Sequence, residues 1–200
     1  FICVPTPMQN NGQCHLRILE NVVKQLRESD YKGCIVIRST VPIGTAKRLN
    51  CFFMPEFLTE ADSQEEFLNQ KFTIFGGSQS LYWCTIFQDA GIKMNHIKFT
   101  DKRTAAYAKY AINTFLATKV VFFNQLQDMF GEDGFDELTQ LISMDERIGK
   151  SHMMVPGPDR KYGFGGMCFP KDTSAFVKSG QGKLSLLKKA IDIKRLSFTE

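Results

Sequence analysis

A glycine-rich stretch ahead of one cysteine is the part of this sequence best suited to covalent chemistry. It runs from Tyr162 to Asp172 and reads Tyr-Gly-Phe-Gly-Gly-Met-Cys-Phe-Pro-Lys-Asp. Pro170 and Asp172 suit the first turn of a helix, so Cys168 is expected just ahead of a helix N-terminus. That helix end and the neighbouring Lys171 both favour the nucleophilic thiolate. The sequence therefore predicts a catalytic cysteine, against the alternative of a buried cysteine beside an ordinary glycine turn.

A long apolar pattern over residues 104–130 predicts a buried central helix, apolar on most of its circumference. Lys109 and Asn113 lie four residues apart in this pattern and therefore share one helix face. Burying a lysine and an amide without partners is unfavourable, so a specific role is one interpretation. The alternative is a lysine whose amino group reaches solvent.

Three apolar runs predict parallel strands of an α/β domain, at residues 1–4, 34–38 and 51–54. The loops that follow them read V-P-T-P, S-T-V-P and M-P-E-F. In open α/β sheets, ligands bind at the carboxyl ends of the strands, although each loop alone could be a plain turn. Further strands are predicted at 72–75 and 96–99, and further helices at 15–28, 81–90, 136–144, 172–178 and 183–196, with a short helix or turn at 45–49.

Composition excludes several functional classes. Of the 200 residues, 43% are hydrophobic and 23% charged, as in soluble globular proteins. The net charge of +4 is scattered without a basic run, so a nucleic-acid partner is not expected. The sequence has no long apolar span, so a membrane partner is not expected. The six cysteines form no C-x-x-C pair and no zinc-like spacing, so we expect no metal and a reducing, cytoplasmic location.

The ten residues from Gly163 to Asp172 resemble the catalytic-cysteine motif of the UDP-glucose 6-dehydrogenases. These enzymes are nucleotide-sugar dehydrogenases, which oxidise an alcohol to an acid with two NAD. The resemblance implies that Cys168 is the nucleophile, that Asp172 supports the thiolate and water chemistry, and that Lys171 helps to place the cofactor.

Other motifs resemble the same family, in the family's order. The Lys109-x-x-x-Asn113 pair resembles a K-x-x-x-N whose side chains hydrogen-bond the oxyanion developing at sugar C6. Glu56, in a P-E-F-L-x-E loop, is implied as a general base or water-positioning carboxylate. Thr40, in S-T-V-P, is implied beside the water and the nicotinamide, and Arg147 resembles an arginine offered to substrate across a dimer interface.

The resemblance implies two sets of binding residues. Those expected to contact substrate are Phe57, Leu58, Thr59, Glu60, Arg147, Tyr162, Gly163, Phe164 and Gly165. Those expected to contact the cofactor are Val4, Pro5, Thr6, Pro7, Ser39, Thr40, Glu60 and Lys171.

The expected fold is α/β: the C-terminal part of a doubly wound NAD-binding domain at 1–102, then an all-α central domain at 103–200. The second domain carries Cys168 and a long dimerisation helix. The expected function is NAD-dependent oxidation of UDP-glucose to UDP-glucuronate by a homodimer or higher homo-oligomer. Alternatives are the same chemistry on GDP-mannose or a UDP-N-acetylhexosamine, or a non-catalytic dimerisation fragment.

Two features of the family pattern are missing from the sequence. It has neither the G-x-G-x-x-G turn that holds a pyrophosphate nor the C-terminal nucleotide-binding domain. In addition, the segment between Thr40 and Glu56 is short for the family. The chain also begins in the middle of a predicted strand. We therefore interpret it as a fragment that is inactive on its own.

Overall fold

The computed structural model describes residues 1–58, 66–67, 72–78, 80–91 and 96–197. The chain divides into two compact units, Phe1–Lys109 and Tyr110–Glu200. The predicted domain boundary at residues 102 and 103 stays a prediction. Each unit is described by itself below.

The first unit is built on a four-stranded sheet in the order β1-β2-β3-β4. Its strands are β1 (Val36–Ile37), β2 (Phe52–Phe53), β3 (Thr73–Gly76) and β4 (Ile97–Thr100). β1 pairs with β2 and β3 with β4 in parallel, whereas β2 and β3 are antiparallel. The strand predicted at residues 1–4 is reduced to a parallel bridge between Ile2 and Ile37. The first three predicted strand segments therefore run in the same direction, which brings the loops after them to one edge.

Helices cover both faces of this sheet. They are α1 (Arg17–Glu28), α2 (Thr45–Arg48) and α3 (Leu81–Asp89). Adjacent strand residues point to opposite faces, so Ile37 joins the core formed with α1 and α2, and Val36 joins the core formed with α3. The predicted α/β, doubly wound character is confirmed.

Aromatic packing fills the α3 side of the sheet. The Phe75 ring is fully buried, and its centroid lies 4.8 Å from that of Trp83 and 5.5 Å from that of Phe87. Burying a phenylalanine side chain contributes roughly 1.5–3 kcal/mol, and paired rings add to this. This core keeps the sheet rigid beneath the loops at its edge.

Helices form the second unit. α4 (Lys102–Phe130) begins in the first unit and runs through the second, followed by α5 (Phe135–Ser143), α6 (Phe169–Ser179) and α7 (Ser185–Ser197). The Asp101 carboxylate accepts hydrogen bonds from the backbone amides of Arg103 and Thr104, which caps the start of α4. Gly134, with φ of +78°, supplies the left-handed turn ahead of α5.

The long helix predicted at residues 104–130 is α4, and one of its faces is exposed in the single chain. Phe115, Phe122 and Met129 recur at a spacing of seven residues, with exposed fractions of 68%, 58% and 80%. None of the helices in the described parts of the chain has both the length and the apolar character needed to cross a membrane.

Candidate active site

Two loops at the carboxyl edge of the sheet are tied together by hydrogen bonds. The Ser39 hydroxyl donates to the Val4 carbonyl at 2.6 Å, and the Thr6 hydroxyl donates to the Thr40 carbonyl at 2.7 Å. Ser39 and Thr6 are both buried, so these bonds are shielded from water. Four of the residues predicted to contact the cofactor are thus brought together. The joined loops lie at the carboxyl ends of adjacent strands, which is where open α/β sheets bind nucleotide ligands.

Pro5 and Pro7 lie in the first of these loops and are exposed. The Pro7 carbonyl accepts a hydrogen bond from the His15 amide at 2.8 Å, which fixes the far end of the loop. The two prolines therefore present apolar surface at the end of the strand without being buried in the core.

The Glu56 side chain is enclosed by donors. One oxygen pairs with the Arg38 guanidinium, and the other accepts hydrogen bonds from the backbone amides of Phe57 at 2.7 Å and Leu58 at 2.9 Å. These contacts hold the carboxylate in one orientation.

Lys109 is buried, with only 5% of its surface exposed. Its amino group donates to the backbone carbonyl of Glu56 and lies 5.2 Å from the centroid of the Phe57 ring. The structure therefore brings Lys109 to the P-E-F-L loop. Thr59 and Glu60, the last two predicted residues of that loop, lie outside the described residues.

Cys168 is exposed and occupies the N-cap of α6. Its carbonyl accepts the Asp172 amide at 2.8 Å, which closes the first turn. Asp172 itself is fully buried, and its carboxylate accepts from the Asn113 amide at 2.7 Å and the Lys171 amino group at 2.6 Å. The first turn of α6 thus carries an accessible thiol and a buried carboxylate that accepts hydrogen bonds from two side chains.

The glycine-rich approach to Cys168 is anchored at its start. Gly163 has φ of +72°, and its amide donates to the Asn124 side-chain oxygen at 2.8 Å. Phe164 is buried against α4 residues, whereas Tyr162 and Gly165 are exposed. Of the four predicted substrate residues in this stretch, two therefore face outward.

Arg147 is exposed and paired with its neighbour Asp145. Hydrogen bonds from the Arg147 guanidinium to the Asp145 carboxylate raise the pKa of Arg147 above its ordinary value. Lys119 holds the same turn from α4, because its buried amino group donates to the Ile148 and Gly149 carbonyls, each at 3.0 Å. Burial lowers the pKa of Lys119 from its ordinary value.

Four residues with long-range hydrogen bonds were missed from the sequence. Arg38 stands directly before the S-T-V-P loop, and Lys119, Asn124 and Gln127 lie buried on α4. The signal was present for the three helix residues, because polar side chains on an otherwise apolar helix need partners. Sequence reasoning applied that argument only to Lys109 and Asn113.

A cavity of about 680 Å³ in the first unit does not coincide with these residues. Its walls include Val41, Pro42, Phe53, Lys47 and Lys102. Neither Thr40 nor Glu56 is among the described residues that line it. Among the described residues there is also no group of three or more side chains that could hold a metal ion.

Two family models match this chain. The NAD binding domain of the UDP-glucose/GDP-mannose dehydrogenase family matches residues 1–82, and the central domain of that family matches residues 103–195. The chain belongs to the UDP-glucose/GDP-mannose dehydrogenase family, and NAD is the cofactor of its first domain.

Individual proteins agree with the family match. The UDP-glucose 6-dehydrogenase of Pseudomonas aeruginosa is 32% identical over 96% of this chain and 47% of its own length. A UDP-glucose dehydrogenase structure from Pyrobaculum islandicum aligns with 98% of this chain and 49% of its own, with a TM-score of 0.83 and 27% identity. A UDP-D-ManNAc dehydrogenase structure from Pyrococcus horikoshii covers 97% of this chain and 49% of its own, with a TM-score of 0.80 and 24% identity, which shows the shared fold. The chain spans about half the length of the relatives it matches.

Asn113→Leu should destabilise the protein, because the buried Asp172 carboxylate loses a hydrogen-bond donor. The expected loss is about 1–3 kcal/mol in the free energy of unfolding, measured by urea denaturation. Thr114→Val is the matched control, since the neighbouring Thr114 is equally buried but donates only to carbonyls of its own helix. Equal losses in the two variants would contradict a specific Asn113–Asp172 bond.

Proposed function

We propose that this chain forms part of an NAD-dependent dehydrogenase that oxidises UDP-glucose to UDP-glucuronate. The observation that carries the proposal is the arrangement in the second unit. Cys168 is exposed at the start of α6, and one turn later the buried Asp172 carboxylate is held by Asn113 and Lys171. An exposed thiol at the start of a helix is accessible to a substrate carbon.

Cys168 is assigned the nucleophilic role. Converting the sugar C6 alcohol to an acid removes two hydrides, and two NAD molecules, bound in turn, would accept one each. After the first oxidation, the Cys168 thiolate adds to the aldehyde carbon and forms a thiohemiacetal. Loss of the second hydride leaves a thioester. Water hydrolyses the thioester, which releases the carboxylate and restores the thiol.

The remaining side chains are assigned supporting roles. Asp172, fixed by Asn113 and Lys171, would orient the water or accept its proton beside the first turn of α6. Glu56, fixed by Arg38 and two backbone amides, would orient a water from the P-E-F-L loop. Lys109 and Asn113 would stabilise the oxyanion at C6. Lys109 would exchange the Glu56 carbonyl for the substrate oxygen, and Asn113 would donate its second amide N–H while keeping its bond to Asp172.

Separate parts of the chain are assigned to the cofactor and to the substrate. The V-P-T-P and S-T-V-P loops, joined through Ser39 and Thr6, would hold the nicotinamide end of NAD. The exposed Arg147 would reach substrate, and the glycines ahead of Cys168 would let the sugar approach the backbone.

UDP-glucose is preferred as the substrate for two reasons. The cysteine is followed by Phe-Pro-Lys-Asp, the spelling that resembles the UDP-glucose enzymes, and a Bacillus subtilis UDP-glucose 6-dehydrogenase is also 30% identical over 89% of this chain. The alternative substrates are GDP-mannose and a UDP-N-acetylhexosamine. We further propose a cytoplasmic location, where the six free thiols would stay reduced.

The exposed face of α4 is assigned to a second copy of this chain. Phe115, Phe122 and Met129 lie seven residues apart and therefore form an apolar stripe along one side of the helix. A stripe of this kind is unfavourable in water and is buried when two copies pack face to face. A homodimer is therefore the proposed minimum assembly.

Cys168→Ser should abolish acid formation in the complete protein, while UDP-glucose affinity changes by no more than about threefold. A serine hydroxyl without an adjacent base is a poor nucleophile at neutral pH, so no thioester equivalent forms. Chromatography of the products measures UDP-glucuronate directly. Cys34→Ser, at another exposed cysteine, is the matched control and should retain parent activity. Acid formation by the Cys168 variant above roughly 5% of the parent rate would show that the thiol is not the nucleophile.

Phe122→Glu should convert the dimer to a monomer, because it places a charge in the centre of the apolar stripe. Sedimentation velocity at micromolar concentration gives the mass of the species directly. Leu81→Glu, at an 83% exposed position on α3, is the control and should leave the dimer intact. A parent protein that sediments as a monomer would refute the assignment of this face.

A further inference from the structure

The buried polar side chains of α4 hold the chain segment that leads to Cys168. Lys119 binds the Ile148 and Gly149 carbonyls, Gln127 binds the Val155 carbonyl and Asn124 binds the Gly163 amide. Each of these bonds joins a helix side chain to backbone between α5 and α6. Because this segment has no regular secondary structure, its path depends on such contacts.

Asn124 differs from Lys119 and Gln127 because it binds the backbone within the glycine-rich stretch itself. It is 1% exposed, and its side-chain oxygen accepts from the Gly163 amide at 2.8 Å while its own amide donates to the Val120 carbonyl at 2.8 Å. Both ends of the side-chain amide are therefore occupied, which fixes its orientation. Gly163 in turn adopts φ of +72°, a left-handed conformation that glycine tolerates best.

A second contact fixes the same point of the chain. Phe164, directly after Gly163, is 3% exposed and packs against Ala117 and Val121 of α4. A hydrogen bond therefore fixes Gly163, and apolar packing fixes the next residue, Phe164. From there only Gly165, Gly166 and Met167 separate the anchored backbone from Cys168, and all three are exposed. A shift at Gly163 would pass along this short span to the thiol.

We propose that Asn124 is a positioning residue for the reaction, which acts through the Gly163 amide to set the location of the Cys168 thiol. This inference rests on the proposed function. Misplacing a reacting atom by about 1 Å lowers a rate on the order of a hundredfold. The loss of one buried hydrogen bond far from the thiol can therefore affect catalysis more than it affects folding.

The test compares Asn124→Ala, Asn124→Asp and Gln127→Ala in the complete protein. The aspartate keeps an acceptor oxygen for the Gly163 amide, and the alanine removes it. Gln127→Ala is the matched control, because Gln127 is also buried on α4 and binds a backbone group, but at Val155, well before the glycine stretch. Thermal melting measures the stability of each variant. Hydrogen–deuterium exchange of the peptide that contains Gly163 reports the anchor without any substrate.

Asn124→Ala should lower kcat for UDP-glucuronate formation at least about tenfold, with KM changed by no more than about threefold. Exchange around Gly163 should accelerate about tenfold or more, since an amide without its acceptor opens readily. Asn124→Asp should restore most of kcat. Gln127→Ala should lose comparable stability but keep kcat within about threefold of the parent. If the alanine variant does not fold, Asn124→Ser, whose hydroxyl is too short to replace the amide oxygen, should show the same loss of kcat.

The inference is overturned if Asn124→Ala keeps kcat within about threefold, or if Asn124→Ala and Gln127→Ala lose kcat equally. Unchanged exchange around Gly163 in Asn124→Ala would overturn it as well. A parent protein that forms no NADH with nucleotide sugars would refute the proposed function and the reaction role of Asn124 together. The exchange measurement would still decide whether Asn124 anchors Gly163, so the two failures are distinguishable.

Discussion

The energetic penalty of burying polar groups without hydrogen bonds governs the arrangement around Cys168. α4 places Asn113, Lys119, Asn124 and Gln127 in the interior of the second unit, and each must find a partner there. Their partners are the Asp172 carboxylate and backbone groups of the segment between α5 and α6. The helix thereby determines where the irregular segment runs and where α6 begins.

The same constraint organises the loops of the first unit. Glu56 is held through its carboxylate by Arg38 and through its backbone carbonyl by Lys109, while Ser39 and Thr6 join the two neighbouring loops. Arg38 precedes the S-T-V-P loop, so the ion pair couples the loop assigned to the cofactor with the loop assigned to substrate. Removing one partner of this pair would leave a partly buried charge without its counter-charge.

Much of this arrangement could be predicted from the sequence, and the parts that could not are the long-range pairings. The apolar runs and proline loops predicted the α/β sheet edge, and the glycine stretch before Cys168 predicted a helix start that α6 confirms. Periodicity identified α4 but did not show which face would be exposed, because apolar residues surround most of the helix. The bond between Asn124 and Gly163 joins residues 39 positions apart, and no local pattern in the sequence encodes it.

The central claim, a four-electron oxidation of a UDP-sugar through a cysteine, is tested most directly by its stoichiometry. The complete protein is incubated with excess NAD and limiting UDP-glucose, GDP-mannose or a UDP-N-acetylhexosamine, and NADH and acid are both quantified. The account predicts two NADH for each UDP-glucuronate formed, and faster turnover with UDP-glucose than with the other two sugars. One NADH for each sugar with an aldehyde as the product, or no NADH with any of the three, would contradict it.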